Sequence, residues 1–155
     1  AEASSPCGVG AWDTSDMKLF LTLMLLLTGT VFAEKKVIAP PGTPAGRPFS
    51  PAILSGGTLY VSGMVGNDKQ GNYPEKFEDE VKQCLENIEG VLKAGGYSLA
   101  DAVAVQVYLT DMDLFQNMNK VYMSMVPEPR PTRTTVGVAK LVGKARIEIT
   151  VTARK

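Results

Sequence analysis

Two residues in this 155-residue chain have the type and setting to do chemistry, Arg133 and Glu148. Arg133 stands in Pro129-Arg130-Pro131-Thr132-Arg133-Thr134-Thr135-Val136, where a proline-stiffened loop enters a β-rich run. A guanidinium held in a fixed direction is a receptor for a planar carboxylate, through paired charge-assisted hydrogen bonds. Thr134 and Thr135 hydroxyls and nearby amides are available to complete such a site. Glu148 stands in Arg146-Ile147-Glu148-Ile149-Thr150-Val151, flanked by isoleucines, so in a strand it projects from the face opposite to theirs. If the isoleucines face a core, Glu148 faces a partner subunit or a cleft, where a carboxylate can act on water as a general base. From pattern alone, Arg133 fits a carboxylate receptor or a solvated surface charge. Glu148 likewise fits a base or an ordinary solvent-facing strand residue.

Composition narrows the alternatives. The chain contains no histidine, which removes the commonest general base and metal ligand and every Ser-His or Cys-His pair. Its two cysteines, Cys7 and Cys84, have no metal-ligand spacing. Sixteen basic and sixteen acidic residues cancel. That balance, with no basic-aromatic stripe, argues against a nucleic-acid partner and against nuclease activity. Any chemistry must then come from carboxylates, Arg, Lys, Tyr, hydroxyls, backbone amides or one thiol.

The elements that must position Arg133 and Glu148 lie in residues 34–155, read as one domain. Residues 17–33 have the pattern of a signal peptide: Met17-Lys18, an apolar run, then Val31-Phe32-Ala33. Cleavage after Ala33 is expected, giving an exported (periplasmic or secreted) domain with no membrane attachment. Residues 1–16 precede a suitable initiator methionine and are read as upstream sequence outside the native protein. Residues 34–155 carry fifteen basic and thirteen acidic residues, and Cys84 is their only thiol.

Within this domain, Pro40–Ser50 is an irregular, Pro- and Gly-rich lead-in. Thr58–Ser62 reads as a strand bounded by glycines. Pro74 fits the first position of a helix whose Phe77, Val81, Cys84, Leu85, Ile88, Val91 and Leu92 recur at helical spacing, stopped by Gly95-Gly96. Ala102–Leu109 is a second strand, with Val103, Val105, Val107 and Leu109 expected on one face. Asp111 or Asp113 caps a second helix carrying Leu114, Met118, Val121, Tyr122 and Met125. Two last strands, Thr134–Leu141 and Ala145–Thr152, are expected to form a hairpin through Val142-Gly143-Lys144. The order implies an α+β fold with both helices on one face of a β-sheet. Subunit association is the economical cover for the other face.

Several stretches resemble the reactive-intermediate deaminase (RidA, or YjgF-like) family in order and spacing. They are Leu59-Tyr60-Val61-Ser62-Gly63, Ala94-Gly95-Gly96, Val107-Tyr108-Leu109-Thr110-Asp111-Met112, Asn119 with Tyr122, Pro131–Val136 and Ile147-Glu148-Ile149. The resemblance covers residues 37–154 and implies a chorismate-mutase-like fold and a homotrimer with three intersubunit clefts. It further implies hydrolysis of 2-imino acids such as 2-iminopropanoate and 2-iminobutanoate to 2-keto acids and ammonia, with no metal and no cofactor required. By motif, Arg133 would clamp the substrate carboxylate, Glu148 would position or activate water, and both would converge on one intersubunit cleft. Ser62, Gly63, Asn119 and Thr135 would line the pocket, with Phe49 at its mouth. Three positions depart from the family pattern: Phe49 stands where active deaminases usually have tyrosine, Met64 where glutamine is frequent, and Thr135 where cysteine is common. Two readings follow, a divergent imine/enamine deaminase and a trimer that binds small carboxylates without turnover.

Overall fold

The computed structural model describes residue 13 and residues 34–155. The expectations for residues 1–16, for the signal segment 17–33 and for cleavage after Ala33 lie outside the described residues. The described chain forms six strands, β1 (Lys36–Ile38), β2 (Ala52–Ser55), β3 (Thr58–Val65), β4 (Ala102–Leu109), β5 (Thr132–Gly137) and β6 (Ile147–Arg154). Two helices, α1 (Phe77–Ala94) and α2 (Phe115–Met125), complete it. The strands make one mixed sheet in the order β1-β2-β3-β6-β4-β5, with β5 parallel to β4 and the other pairs antiparallel. Among the described residues no helix is long and apolar enough to cross a membrane.

The core lies between one sheet face and the helices. Leu59, Val61, Val105, Val107, Leu109, Ile147, Ile149 and Val151 meet Val81, Cys84, Leu85, Ile88, Leu92 and Met118, all buried. Each large aliphatic side chain buried here contributes about 2 kcal/mol. Helix α1 ends as its sequence requires. Gly96 adopts φ +80°, and the amides of Gly96 and Tyr97 bond back to Lys93 and Leu92 carbonyls.

Four expectations are corrected. The last two strands are not a hairpin: β5 ends at Gly137 on the sheet edge, whereas β6 inserts between β3 and β4. The segment 138–146 crosses between them, and Val142 and Ala145 make only a local turn. What draws β6 inward is the fully buried carboxylate of Glu80 on α1. It accepts the Arg146 backbone N–H at 2.7 Å and Nε at 2.6 Å, just before β6 begins. Second, α1 starts at Phe77 rather than Pro74. The Pro74 carbonyl accepts from Arg146 Nη2 at 2.8 Å, and that guanidinium lies over the Phe77 ring, which anchors the non-helical chain between them. Third, Val103 is 46% exposed and off the apolar face, because a register shift between Ala102 and Ala104 breaks the alternation there. Fourth, strands flank the irregular lead-in, since β1 and β2, too short to show periodicity, pair across it.

The second sheet face carries Tyr60, Thr150, Thr152, Glu148, Tyr108 and Val136, and among the described residues no helix covers it. Tyr60 and Val136 are among the exposed large hydrophobic residues.

Candidate functional site

Arg133 is fixed by register. It pairs with Val105 across the parallel β4–β5 ladder, so it shares Val105's face, the one toward the helices. There α2 receives it. Arg133 Nη2 donates to Asn119 Oδ1 at 2.7 Å, and the guanidinium lies 4.7 Å from the Tyr122 ring centroid and 5.7 Å from that of Phe115. Nη1 approaches Met118 Sδ at 3.7 Å. These neighbours are aromatic, thioether and amide groups. They orient the cation without neutralising it, and among the described residues no carboxylate forms an ion pair with it. A cavity of about 530 Å³ opens beside it, lined by Gln116, Asn119, Tyr122, Met123, Arg130, Pro131 and Arg133.

Among the described residues, two buried oxygens on this side have no hydrogen-bond partner, Tyr122 Oη and Thr135 Oγ1. Burial raises the Tyr122 phenol above its ordinary value, against the lowering influence of Arg133 and Arg130, so it stays neutral near neutral pH. Thr135 shares the face of Arg133 through its register with Val107.

Glu148 occupies the opposite face. Ile147 and Ile149 are fully buried, and Glu148 between them pairs with Tyr108 and Val65. Its carboxylate has room because residue 63 is glycine. A Cβ at Gly63 would sit 2.9 Å from Glu148 Cδ and 3.2 Å from Cγ, and closer still to Oε1. Ser62 and Gly63 fall in the register shift of β3 between Val61 and Met64. Ser62 Oγ donates to the Ser50 carbonyl at 2.7 Å, tying this irregularity to the lead-in that carries Phe49. Glu148, Gly63 and Phe49 line a second cavity, of about 370 Å³, with Arg47, Pro51, Met64, Val65, Asn67, Tyr73 and Val142. Phe49 is half exposed, with the Arg47 guanidinium 4.9 Å from its ring centroid.

Within one chain the residues singled out from sequence thus form two groups. Arg133, Asn119 and Thr135 belong to the helix side of edge strand β5. Glu148, Gly63 and Phe49 belong to the second cavity, which Ser62 supports through Ser50. Sequence reasoning missed the aromatic seat of Arg133, formed by Phe115 and Tyr122, and the presence of Tyr73 and Val142 beside Glu148. Tyr122 was visible as a core position. Tyr73, in a turn, carried no periodic signal.

Cys84 remains a core residue, as its place on the α1 stripe implied. It is fully buried, its Sγ donates to the Met64 carbonyl at 3.0 Å, and burial followed by Glu80's charge pushes its thiol far up from its ordinary value.

Comparison with known proteins agrees with this architecture. A sequence model of the family described as Endoribonuclease L-PSP matches residues 41–155. The chain belongs to this family, which includes the proteins named RidA, YjgF and RutC. It is 42% identical over 128 residues to a RutC family protein of Sulfurisphaera tokodaii, an alignment covering 81% of this chain and 98% of that protein. It is 34% identical to a 2-iminobutanoate/2-iminopropanoate deaminase of Dermatophagoides farinae, over 76% of this chain and 94% of that one. Among solved structures, RidA from an Antarctic Psychrobacter matches with a TM-score of 0.73 and 34% identity, covering 77% of this chain and 99% of that chain. Escherichia coli TdcF with bound serine matches with a TM-score of 0.71 and 29% identity, covering 78% and 99%.

Proposed function

We propose that this protein hydrolyses small 2-imino acids to 2-keto acids and ammonia, at sites formed between the subunits of a homotrimer. The observation that carries this reading is the Arg133 guanidinium, held by neutral groups and left with its charge available for a carboxylate. The deaminase name of a 34%-identical relative and the serine bound in a structural neighbour support a small carboxylate ligand. Arg133 and Glu148 lie on opposite faces of one sheet, Arg133 on its edge strand and Glu148 on its uncovered face. A second copy docked against that face would bring its own edge arginine to the Glu148 cavity and cover Tyr60 and Val136.

In this reading Arg133 of one subunit binds the substrate carboxylate through two charge-assisted bonds, each contributing about 1.5–3 kcal/mol. Glu148 of the neighbour takes a proton from water as the water oxygen bonds to C2. The C=N π pair moves to nitrogen, which takes that proton back from Glu148; Glu148 then carries the carbinolamine O–H proton to nitrogen, and the C–N bond breaks to leave the ketone and ammonia. An imine carbon is already electrophilic, so fixing carboxylate, water and base supplies most of the acceleration. Residues 17–33 would export the domain before it acts.

The test uses two inactive variants, Arg133→Ala and Glu148→Ala. The substrate 2-iminopropanoate is generated in situ by an amino-acid oxidase, and keto-acid release is compared with spontaneous hydrolysis. Co-refolding the variants in equal amounts should restore about a quarter of wild-type activity, because random trimers pair an intact Arg133 with an intact Glu148 in that fraction of sites. No acceleration by the wild type would sink the deaminase reading, and no recovery on mixing would sink the intersubunit site. The alternative is a trimer that binds small carboxylates without turnover, favoured by Phe49, whose ring offers no hydroxyl to substrate or water. It predicts thermal stabilisation by keto or amino acids alongside an unaccelerated reaction.

A further inference from the structure

The Glu148 cavity contains a hydroxyl that no comparison assigns a role. Of the described residues lining it, Tyr73 alone carries a hydroxyl. Phe49 presents a bare ring, and the nearby Ser62 hydroxyl is committed to the Ser50 carbonyl. Tyr73 is partly buried, in the irregular chain between the Asp68–Asn72 turn and α1. This segment is pinned in place, since the Pro74 carbonyl next to it accepts from Arg146 Nη2, and Arg146 is locked to buried Glu80. The phenol oxygen backs onto Gly143, whose absent side chain leaves it room: a Cβ there would stand 3.1 Å from Tyr73 Oη. No hydrogen bond to the described residues consumes this hydroxyl. Burial, then the nearby charge of Glu80, raises the phenol above its ordinary value of 10.0, which keeps it neutral.

We infer that Tyr73 Oη is the second polar hold on the attacking water, acting with Glu148 in the same cavity. This rests on the deaminase reading above and deepens it. Water attacking an imine carbon must give one proton to a base and keep its oxygen lone pair aimed at C2. Glu148 accepts a hydrogen bond from one hydrogen and Tyr73 Oη from the other, so both lone pairs of the water are turned away from these acceptors, to the side where C2 lies. As the water oxygen bonds to C2, the first proton passes to Glu148 and the π pair to nitrogen. Tyr73 exchanges no proton. Its contribution is orientation, the effect that makes a bound nucleophile superior to bulk water. The hydroxyl missing at position 49 is thereby supplied from another loop.

The test compares wild type with Tyr73→Phe in the 2-iminopropanoate assay, with melting temperature and pyruvate-induced thermal shift measured on both. Because Arg133 of the neighbouring subunit holds the carboxylate, the substitution should lower kcat about 10- to 100-fold and change KM less than about 2-fold. Melting temperature and pyruvate shift should stay at wild-type values. A Tyr73→Phe chain turning over within 2-fold of an active wild type would overturn the inference and leave the deaminase reading intact. A loss of kcat matched by a fall in melting temperature or pyruvate shift would also overturn it, assigning Tyr73 to packing. An inactive wild type removes the deaminase reading itself, and this inference with it.

Discussion

Replacing Gly63 with alanine is a small change with a sharply defined consequence. The new methyl would lie 2.9 Å from Glu148 Cδ and 3.2 Å from Cγ, inside ordinary contact at 3.4 Å, and nearer still to Oε1. The three nearest atoms it meets all belong to the Glu148 side chain, so the conflict is relieved by rotating that side chain rather than by moving backbone. Gly63 does not occupy the left-handed region, so alanine introduces no backbone strain. Gly→Ala at a compatible position even gains about 0.4–1 kcal/mol through the unfolded chain, which offsets part of the rearrangement. Net stability should change by less than about 1 kcal/mol. The carboxylate, by contrast, must swing by about 1 Å, and misplacement on that scale costs about 100-fold in rate, or about 2.7 kcal/mol of transition-state stabilisation. The assay is keto-acid release from 2-iminopropanoate, beside a urea melt and a pyruvate thermal shift. Pyruvate binding should persist, since Arg133 is untouched. An alanine variant within 3-fold of the wild-type rate would refute the argument. So would a crystal structure of the variant with Glu148 unmoved, whatever the rates.

Other perturbations probe the frame around the site. Arg146→Met strands the fully buried Glu80 carboxylate with only the residue-146 backbone N–H, and should cost about 3 kcal/mol by urea denaturation. Removing both charges, as Glu80→Leu with Arg146→Met, should cost less than the single change. Cys84 gives an alkaline signature. Its folded thiol is pushed up while the unfolded thiol keeps the ordinary 9.0, so the folded state retains a proton that the unfolded state loses. Its stabilising contribution is therefore complete below pH 9.0 and is lost progressively above it, and Cys84→Ala should flatten that part of the denaturation-midpoint profile. The buried thiol should also resist aromatic disulfide reagents until the chain is unfolded. Expression with residues 17–33 intact in a secreting bacterium should yield protein whose N-terminal residue is Glu34 by mass spectrometry. Retention of the full chain would remove the export proposal.

The parts of this molecule legible in sequence are those set by local periodicity. The α1 stripe from Phe77 to Leu92 needed only helical spacing, its stop only Gly95-Gly96, and the alternation Ile147-Glu148-Ile149 only the two-residue repeat of a strand. Each rule operates within a few residues, so each survives without knowledge of the rest of the chain. Cys84 was correctly read as core for the same reason. The hairpin expectation failed because pairing of β5 and β6 is not a local property. The turn residues Val142-Gly143-Lys144 favour reversal, but the ion pair of Arg146 with the buried Glu80 carboxylate, 66 residues away, directs β6 elsewhere. Val103 failed because one irregularity in pairing shifts the faces on either side of it.

By itself, then, the sequence determined the class of fold, the family, the chemical types present and which face of its own strand Glu148 would take. Only tertiary structure decided where those faces point. Parallel pairing with β4 turns Arg133 toward the helices, into an aromatic seat that no spacing rule reveals. Insertion of β6 at the sheet centre turns Glu148 to the uncovered face, beside a tyrosine from a distant turn. The physical reason is range: side-chain alternation is written every two residues, whereas the orientation of a strand against its neighbours comes from contacts made across the whole chain.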